Sequence, residues 1–142
     1  MEPKLVVRSR GIIFYNDKLL IVRHNENSDL NALPGGHLEE NEDPVDCIER
    51  EIFEELGVVP KIGRLFYVNS FTRRGVHSIE LLFEITNGED FLDIEKLKGT
   101  HRHELFEIRW IGRDEDVVFL PTKVLEDFKN GTLLSDSVKF IK

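Results

Sequence analysis

Residues 33–58 read Leu-Pro-Gly-Gly-His-Leu-Glu-Glu-Asn-Glu-Asp-Pro-Val-Asp-Cys-Ile-Glu-Arg-Glu-Ile-Phe-Glu-Glu-Leu-Gly-Val, and the fold turns on them. Asp43-Pro44 is a helix start, since an Asp side chain accepts from orphan N–H groups and Pro suits the first helical position. Gly57 suits the left-handed stop just past a helix end, so a helix is predicted over Pro44–Leu56. Val45, Ile48, Ile52 and Leu56 recur at helical spacing and form one apolar stripe, with Cys47 away from it. Glu51 and Glu55 lie one turn apart with Glu54 beside them, on an arc bordering that stripe. Like charges at this spacing cost a few tenths of a kcal/mol when exposed, and more near a low-dielectric core, where at least one carboxyl pKa rises. A hard divalent cation removes the conflict, because Mg²⁺ takes oxygen ligands and keeps waters for a substrate phosphate. The plain alternative is a solvated acidic helix face.

Upstream, Lys4–Phe14 alternates loosely, Asn16-Asp17 offers turn chemistry and Lys18–His24 resumes as an apolar run, which predicts a β-hairpin. Asn25–Leu33 reads as a polar loop ending in the Pro34-Gly35-Gly36 turn. Downstream come strand-like runs at Arg64–Thr72, Ser78–Thr86 and Phe106–Ile111, with Arg73-Arg74-Gly75 turning the chain between the first two. Phe91–Leu97 is a short helix or an irregular segment. Pro121-Thr122 opens a last helix to about Asn130, closed by Gly131. Strands and helices interleave without repeats or linkers, so residues 1–142 are expected to form one α/β domain, a mixed sheet covered by helices.

The chain has 19 Lys+Arg against 27 Asp+Glu, a net charge of −8, which argues against a broad footprint for duplex nucleic acid. A small phosphorylated ligand stays open, because a few arginines or a bound cation reverse the local sign. No apolar run is long enough to span a membrane, and the opening residues lack the pattern of a signal peptide. The single cysteine excludes an internal disulfide framework. A cytoplasmic protein is the economical reading.

Gly36, five residues, Glu42, seven residues, then Arg50-Glu51-Ile52-Phe53-Glu54-Glu55-Leu56-Gly57-Val58 resembles the Nudix box with every specified position filled. The likeness continues in the preceding hairpin, the Leu33-Pro34-Gly35-Gly36 approach and a later strand ending at Trp110. The resemblance implies the Nudix α/β/α sandwich, with a mixed sheet between helices. It also implies Mg²⁺- or Mn²⁺-dependent hydrolysis of a nucleoside diphosphate linked to another group. Glu51, Glu54 and Glu55 match the family's metal-binding glutamates. Gly35 matches a position whose backbone carbonyl ligates metal, and Arg50 with Glu42 matches an orienting pair. Water would attack a diphosphate phosphorus, and a carboxylate would take its proton. That base is a helix glutamate or a later loop glutamate, for which Glu104 and Glu107 are the candidates and Glu80 a weaker third.

Arg8, Arg10, Arg23 and His24, or Arg73, Arg74 and His77 from the later hairpin, are the basic residues available to a phosphate or leaving group. Arg23 is favoured, with Arg8 and Arg73 as further substrate-binding candidates. Phe71 can stack on a base but reads first as core, and the pair His101 and His103 reads as incidental. The Pro that marks many ADP-ribose hydrolases is absent, since Phe71 to Arg74 hold those positions. The Tyr of dinucleoside polyphosphate hydrolases is missing too, Tyr67 falling too early. A nucleoside triphosphate or a small nucleotide-linked compound is the default substrate. The competing reading is a nucleotide-sensing Nudix-like module without turnover. Such modules generally lose box carboxylates, and this chain keeps them. A homodimer stays open, with Leu133, Leu134, Val138, Phe140 and Ile141 as an edge strand or a partner-facing segment; packing on their own domain is the preferred reading.

Overall fold

The computed structural model describes residues 4–142, so the first three residues of the predicted domain lie outside the described residues. In chain order the elements are β1 (Lys4–Tyr15), β2 (Lys18–Arg23), β3 (Leu30–Asn31), β4 (Gly35–His37), α1 (Pro44–Leu56), β5 (Ile62–Arg73), β6 (Val76–Ile85), β7 (Glu107–Ile111), β8 (Val118–Phe119), α2 (Thr122–Asn130) and β9 (Lys139–Ile141). Short 3₁₀ turns occupy Gly88–Phe91, Ile94–Lys96 and Arg102–Glu104.

Asn16 and Asp17 both adopt left-handed dihedrals, φ 50° and 60°, the pair a tight two-residue hairpin needs, and they fold β2 back on β1. Pairing in this predicted hairpin is confined to its tip, Phe14↔Leu19 and Tyr15↔Lys18. Farther down, β1 runs parallel to β6 from Lys4↔Val76 to Ile13↔Ile85, and on its other edge it pairs with β4. β2 turns instead to β7, antiparallel from Leu19↔Ile111 to Arg23↔Glu107. The main sheet therefore runs β7-β2-β1-β6-β5-β9 with β4 on β1, and β2 and β4 share one edge of β1. Arg74 (φ 52°) and Gly75 (φ 77°) make the predicted turn between β5 and β6.

Alternation along β1 and β2 sends side chains to opposite faces, and each face meets a helix. Ile13, Leu20, Val22, Phe83 and Ile85 pack against Ile48, Ile52 and Leu56 of α1. Ile12, Leu19, Ile21, Tyr67 and Leu82 pack against Val124 and Phe128 of α2. This is the expected mixed sheet between helices. α1 occupies the predicted span, with Asp43 accepting from the Asp46 N–H at 2.9 Å and Gly57 at φ 75° ending it.

Two details of the predicted stripe change. Val45 is 43% exposed: the first side chains that α1 buries are Cys47 and Ile48. Cys47 is buried with its thiol on the Gly36 carbonyl, because the Pro34–His37 turn covers that side of the helix. Burial pushes the thiol up to about 11, so it is protonated and inert at neutral pH.

The C-terminal residues Lys139–Ile141 pair in parallel with β5 as an edge strand. Tyr67 Oη donates to buried Asp127 at 2.6 Å, and Lys139 Nζ reaches the same carboxylate at 2.8 Å, tying β5, α2 and β9 together. No helix among the described residues is long and apolar enough to cross a membrane.

Candidate active site

The turn into α1 sets the geometry. Gly35 sits at φ +147°, and a Cβ there would meet the Ser9 carbonyl oxygen at 2.1 Å, so only glycine lets β4 lie this close to β1. In this position the Gly35 N–H donates to Glu55 Oε1 at 3.2 Å. A Cβ on Gly36 would come within 2.5–2.7 Å of the Glu51 carboxylate. Glu51 and Glu55 are thus packed against one two-glycine turn. Glu55 is only 2% exposed, so it lies in the core rather than at its rim. Burial, then the nearby Glu51, push its carboxyl up to about 8, against the pull of the Gly35 N–H. Burial also raises the Glu51 pKa, opposed by Arg50.

Arg50 collects the neighbouring acids. Its Nε donates to Glu42 Oε2 at 2.7 Å and its Nη2 to Glu42 Oε1 at 3.1 Å, a bidentate fork. Nη1 reaches Glu51 at 2.9 Å and Glu54 at 3.3 Å, and Nη2 also meets the His37 carbonyl at 3.1 Å. The pairing of Arg50 with Glu54 one turn on and its orienting contacts with Glu42 and Glu51 thus coexist. These contacts hold the guanidinium pKa above its ordinary value.

The segment between the second and third 3₁₀ turns is clamped to the end of α1. His101 N–H donates to the Glu54 carbonyl at 2.6 Å and Gly99 N–H to the Glu55 carbonyl at 3.3 Å. A side chain on Gly99 would strike the Glu54 carbonyl oxygen at 2.0 Å. This clamp brings His101 Nδ1 to 2.9 Å from Glu54, a contact the spacing of His101 and His103 gave no hint of. It also brings in Glu104, whose charge raises the pKa of both Glu51 and Glu55.

Glu107 is placed differently. It faces Arg23 (3.8 Å) and Arg109 (3.7 Å), in a cavity of about 280 Å³ that Asp29, Asn31 and Asp116 also line. Arg23 stacks on Phe106 at 4.5 Å and donates to the Ser28 carbonyl. Glu80 is engaged by Arg10 at 2.9 Å and Asn69 at 3.2 Å, so it is held rather than free to take a proton. Arg8 lies on β1 beside Arg10, and Arg73 is exposed at the β5–β6 turn. His77 is bonded to Ser70 and Thr72.

The donor set fits a hard divalent cation. It is all oxygen, and Glu55, buried beside a second carboxylate, has no cationic partner within ion-pair distance among the described residues. Three or more His, Cys, Asp or Glu side chains do not converge on one point among the described residues. Arg50 instead holds Glu51 and Glu54 on one nitrogen.

The NUDIX domain model matches residues 6–128. The chain belongs to the Nudix family. Among relatives, a probable DHNTP pyrophosphohydrolase of Lactococcus lactis is 37% identical over 70 residues, 49% of this chain and 42% of that protein. An ADP-ribose pyrophosphatase of Methanocaldococcus jannaschii is 35% identical over 85 residues, 56% of this chain and 50% of that one. The chain thus spans about half the length of these Nudix relatives. The Escherichia coli ORF135 protein, in a solution structure, superposes with TM-score 0.71 at 22% identity, over 90% of this chain and 91% of that one, a likeness of fold.

Proposed function

We propose that this chain is a divalent-metal-dependent pyrophosphohydrolase. It cleaves the diphosphate linkage of a nucleoside diphosphate joined to another group, a nucleoside triphosphate or small nucleotide derivative. The observation that carries the reading is the buried Glu55, held by the Gly35 N–H beside Glu51 and itself without a protein cation at ion-pair distance among the described residues. Glu51, Glu54, Glu55 and the Gly35 carbonyl would hold Mg²⁺ or Mn²⁺, which when bound neutralises phosphoryl charge and acidifies water. Arg50, forked on Glu42, keeps Glu51 and Glu54 in place. Glu104 is the loop carboxylate favoured over Glu107 as proton acceptor, since it shares the field of Glu51 and Glu55 while Glu107 faces Arg23 and Arg109. The cavity that Arg23 lines takes the group attached to the diphosphate.

Purified protein incubated with Mg²⁺ or Mn²⁺ and a panel of nucleoside triphosphates, nucleotide sugars and dinucleotides is expected to release phosphate or pyrophosphate from at least one, and none with chelator. Binding without turnover across the panel points to the sensing module instead. Arg50→Lys keeps the charge but not the fork, and is expected to lower kcat about 10- to 100-fold with a modest fall in Tm, read by steady-state kinetics and thermal melts.

A further inference from the structure

Arg8 and Arg10 stand on the face of β1 that also carries Ile12 into the core, since residues two apart on a strand share a face. Arg10 is locked: Nε donates to Glu80 Oε2 at 2.9 Å and Nη1 to the Leu33 carbonyl at 2.9 Å. Glu80 is itself 5% exposed, and its other oxygen accepts from Asn69 Nδ2 at 3.2 Å. The Nη2 of Arg10 has no protein partner among the described residues. Arg8 donates only to the Ser78 hydroxyl, at 3.3 Å, with no carboxylate at ion-pair distance among the described residues.

Glu80 pairs with Arg10 alone, so among the described residues Arg8 carries its positive charge without an ion-pair partner, in a chain of net −8. Burial and Arg10 lower the Arg8 pKa. Burial, then the same two arginines, depress His37, and burial, then Arg10, depress His24, so the field extends to both sides of the glycine turn. In register Arg8 lies opposite His37 and Arg10 opposite Gly35, whose N–H holds Glu55. A half-buried cation with only a hydroxyl for a partner is relieved by an incoming anion, and a guanidinium fork matches a phosphate.

We infer that Arg8 and Arg10 form a shelf for a phosphate lying beyond the scissile diphosphate, with Glu80 and Asn69 as positioning residues for Arg10. The favoured substrate class is then a nucleotide with three or more consecutive phosphates rather than a diphosphate ending in a neutral sugar. The place of the scissile bond rests on the pyrophosphohydrolase reading; the anion site does not.

Two measurements separate the readings. Inorganic tripolyphosphate titrated calorimetrically into metal-free protein, with chelator at low ionic strength, probes the shelf alone. Arg8→Gln is expected to weaken that binding about tenfold or more, while Arg8→Lys keeps most of it. With Mg²⁺, Arg8→Gln is expected to lower the ratio of kcat/KM for ATP to that for ADP-ribose by a similar factor, chiefly through KM. Glu80→Gln is expected to raise KM for ATP more than it lowers kcat. The shelf is overturned if wild type does not bind tripolyphosphate, if Arg8→Gln binds it as tightly as wild type, or if ATP and ADP-ribose suffer equally. Should no nucleotide be turned over while Arg8→Gln still loses tripolyphosphate, the shelf stands and the hydrolase reading falls.

Discussion

Glu55→Gln is expected to abolish turnover and, in the absence of metal, to make the protein more stable than wild type. Gln keeps the volume of Glu55 and a side-chain oxygen for the Gly35 N–H, so the buried packing survives. What it removes is a charge held 2% exposed beside Glu51. Losing that oxygen anion from a metal site forfeits several kcal/mol of transition-state stabilisation, about a thousandfold or more in kcat. A Glu55→Gln variant as active as its parent would remove the proposed site.

The stability half of this prediction has a definite sign with pH. The Glu55 carboxyl rises from an ordinary 4.5 to about 8 in the folded protein, so the folded state binds more protons than the unfolded chain between those values. Its contribution is therefore most favourable below about pH 4.5 and is lost progressively as pH rises to about 8. Glu51, also raised, acts in the same direction. His24 and His37 are depressed and act in the opposite direction below their ordinary 6.5, so the cleanest window lies between pH 6.5 and 8. Across it, metal-free wild type is expected to lose Tm relative to Glu55→Gln, a gap worth on the order of a few kcal/mol at the alkaline end. Mg²⁺ is expected to raise the Tm of wild type and close the gap, and to leave Glu55→Gln nearly unmoved. Parallel melting curves with pH, with or without Mg²⁺, would show that Glu55 carries no strained charge.

The order of legibility follows the range of the forces. α1 could be read to the residue because its signals are local: the Asp43 cap, Pro44 and the left-handed Gly57 act within a turn of the helix end they define. The two-residue strands β3 and β8 could not, since alternation needs more residues than they contain. β1 was legible as a strand, but its main partner was not. Its long parallel pairing with β6 depends on contacts about seventy residues apart in the chain, while the turn at Asn16-Asp17 fixes only the tip. The same limit applies at the site. Helical spacing places Glu55 at the edge of the stripe, and only the Gly35 turn, brought in by pairing with Ser9 and Arg10, buries it. Glu104 and Glu107 are indistinguishable by sequence. The Gly99 and His101 clamp on α1 separates them, because an aperiodic loop takes its course from the surface it meets.

Gly35→Ala is expected to prevent folding, whereas Gly36→Ala is expected to fold and lose activity. At Gly35 the added methyl would meet backbone, the Ser9 carbonyl oxygen at 2.1 Å and Arg10 Cα at 2.7 Å, at a φ of +147° that L-residues rarely adopt. Neither strand can yield without giving up the β1–β4 ladder, so overpacking and backbone strain combine to about 3–6 kcal/mol, comparable to the whole stability of a small domain. At Gly36 the obstructing atoms belong to the end of the Glu51 side chain, at 2.5–2.7 Å, and can swing away. The fold then survives with Glu51 displaced from Glu55 and from Arg50, and kcat is expected to fall at least a hundredfold with only a few degrees lost in Tm. Circular dichroism, thermal melts and Mg²⁺-dependent kinetics on the two variants read this contrast. A folded, active Gly35→Ala would mean that the glycine turn does not lie against β1 as described. A fully active Gly36→Ala would mean that Glu51 has no part in the chemistry.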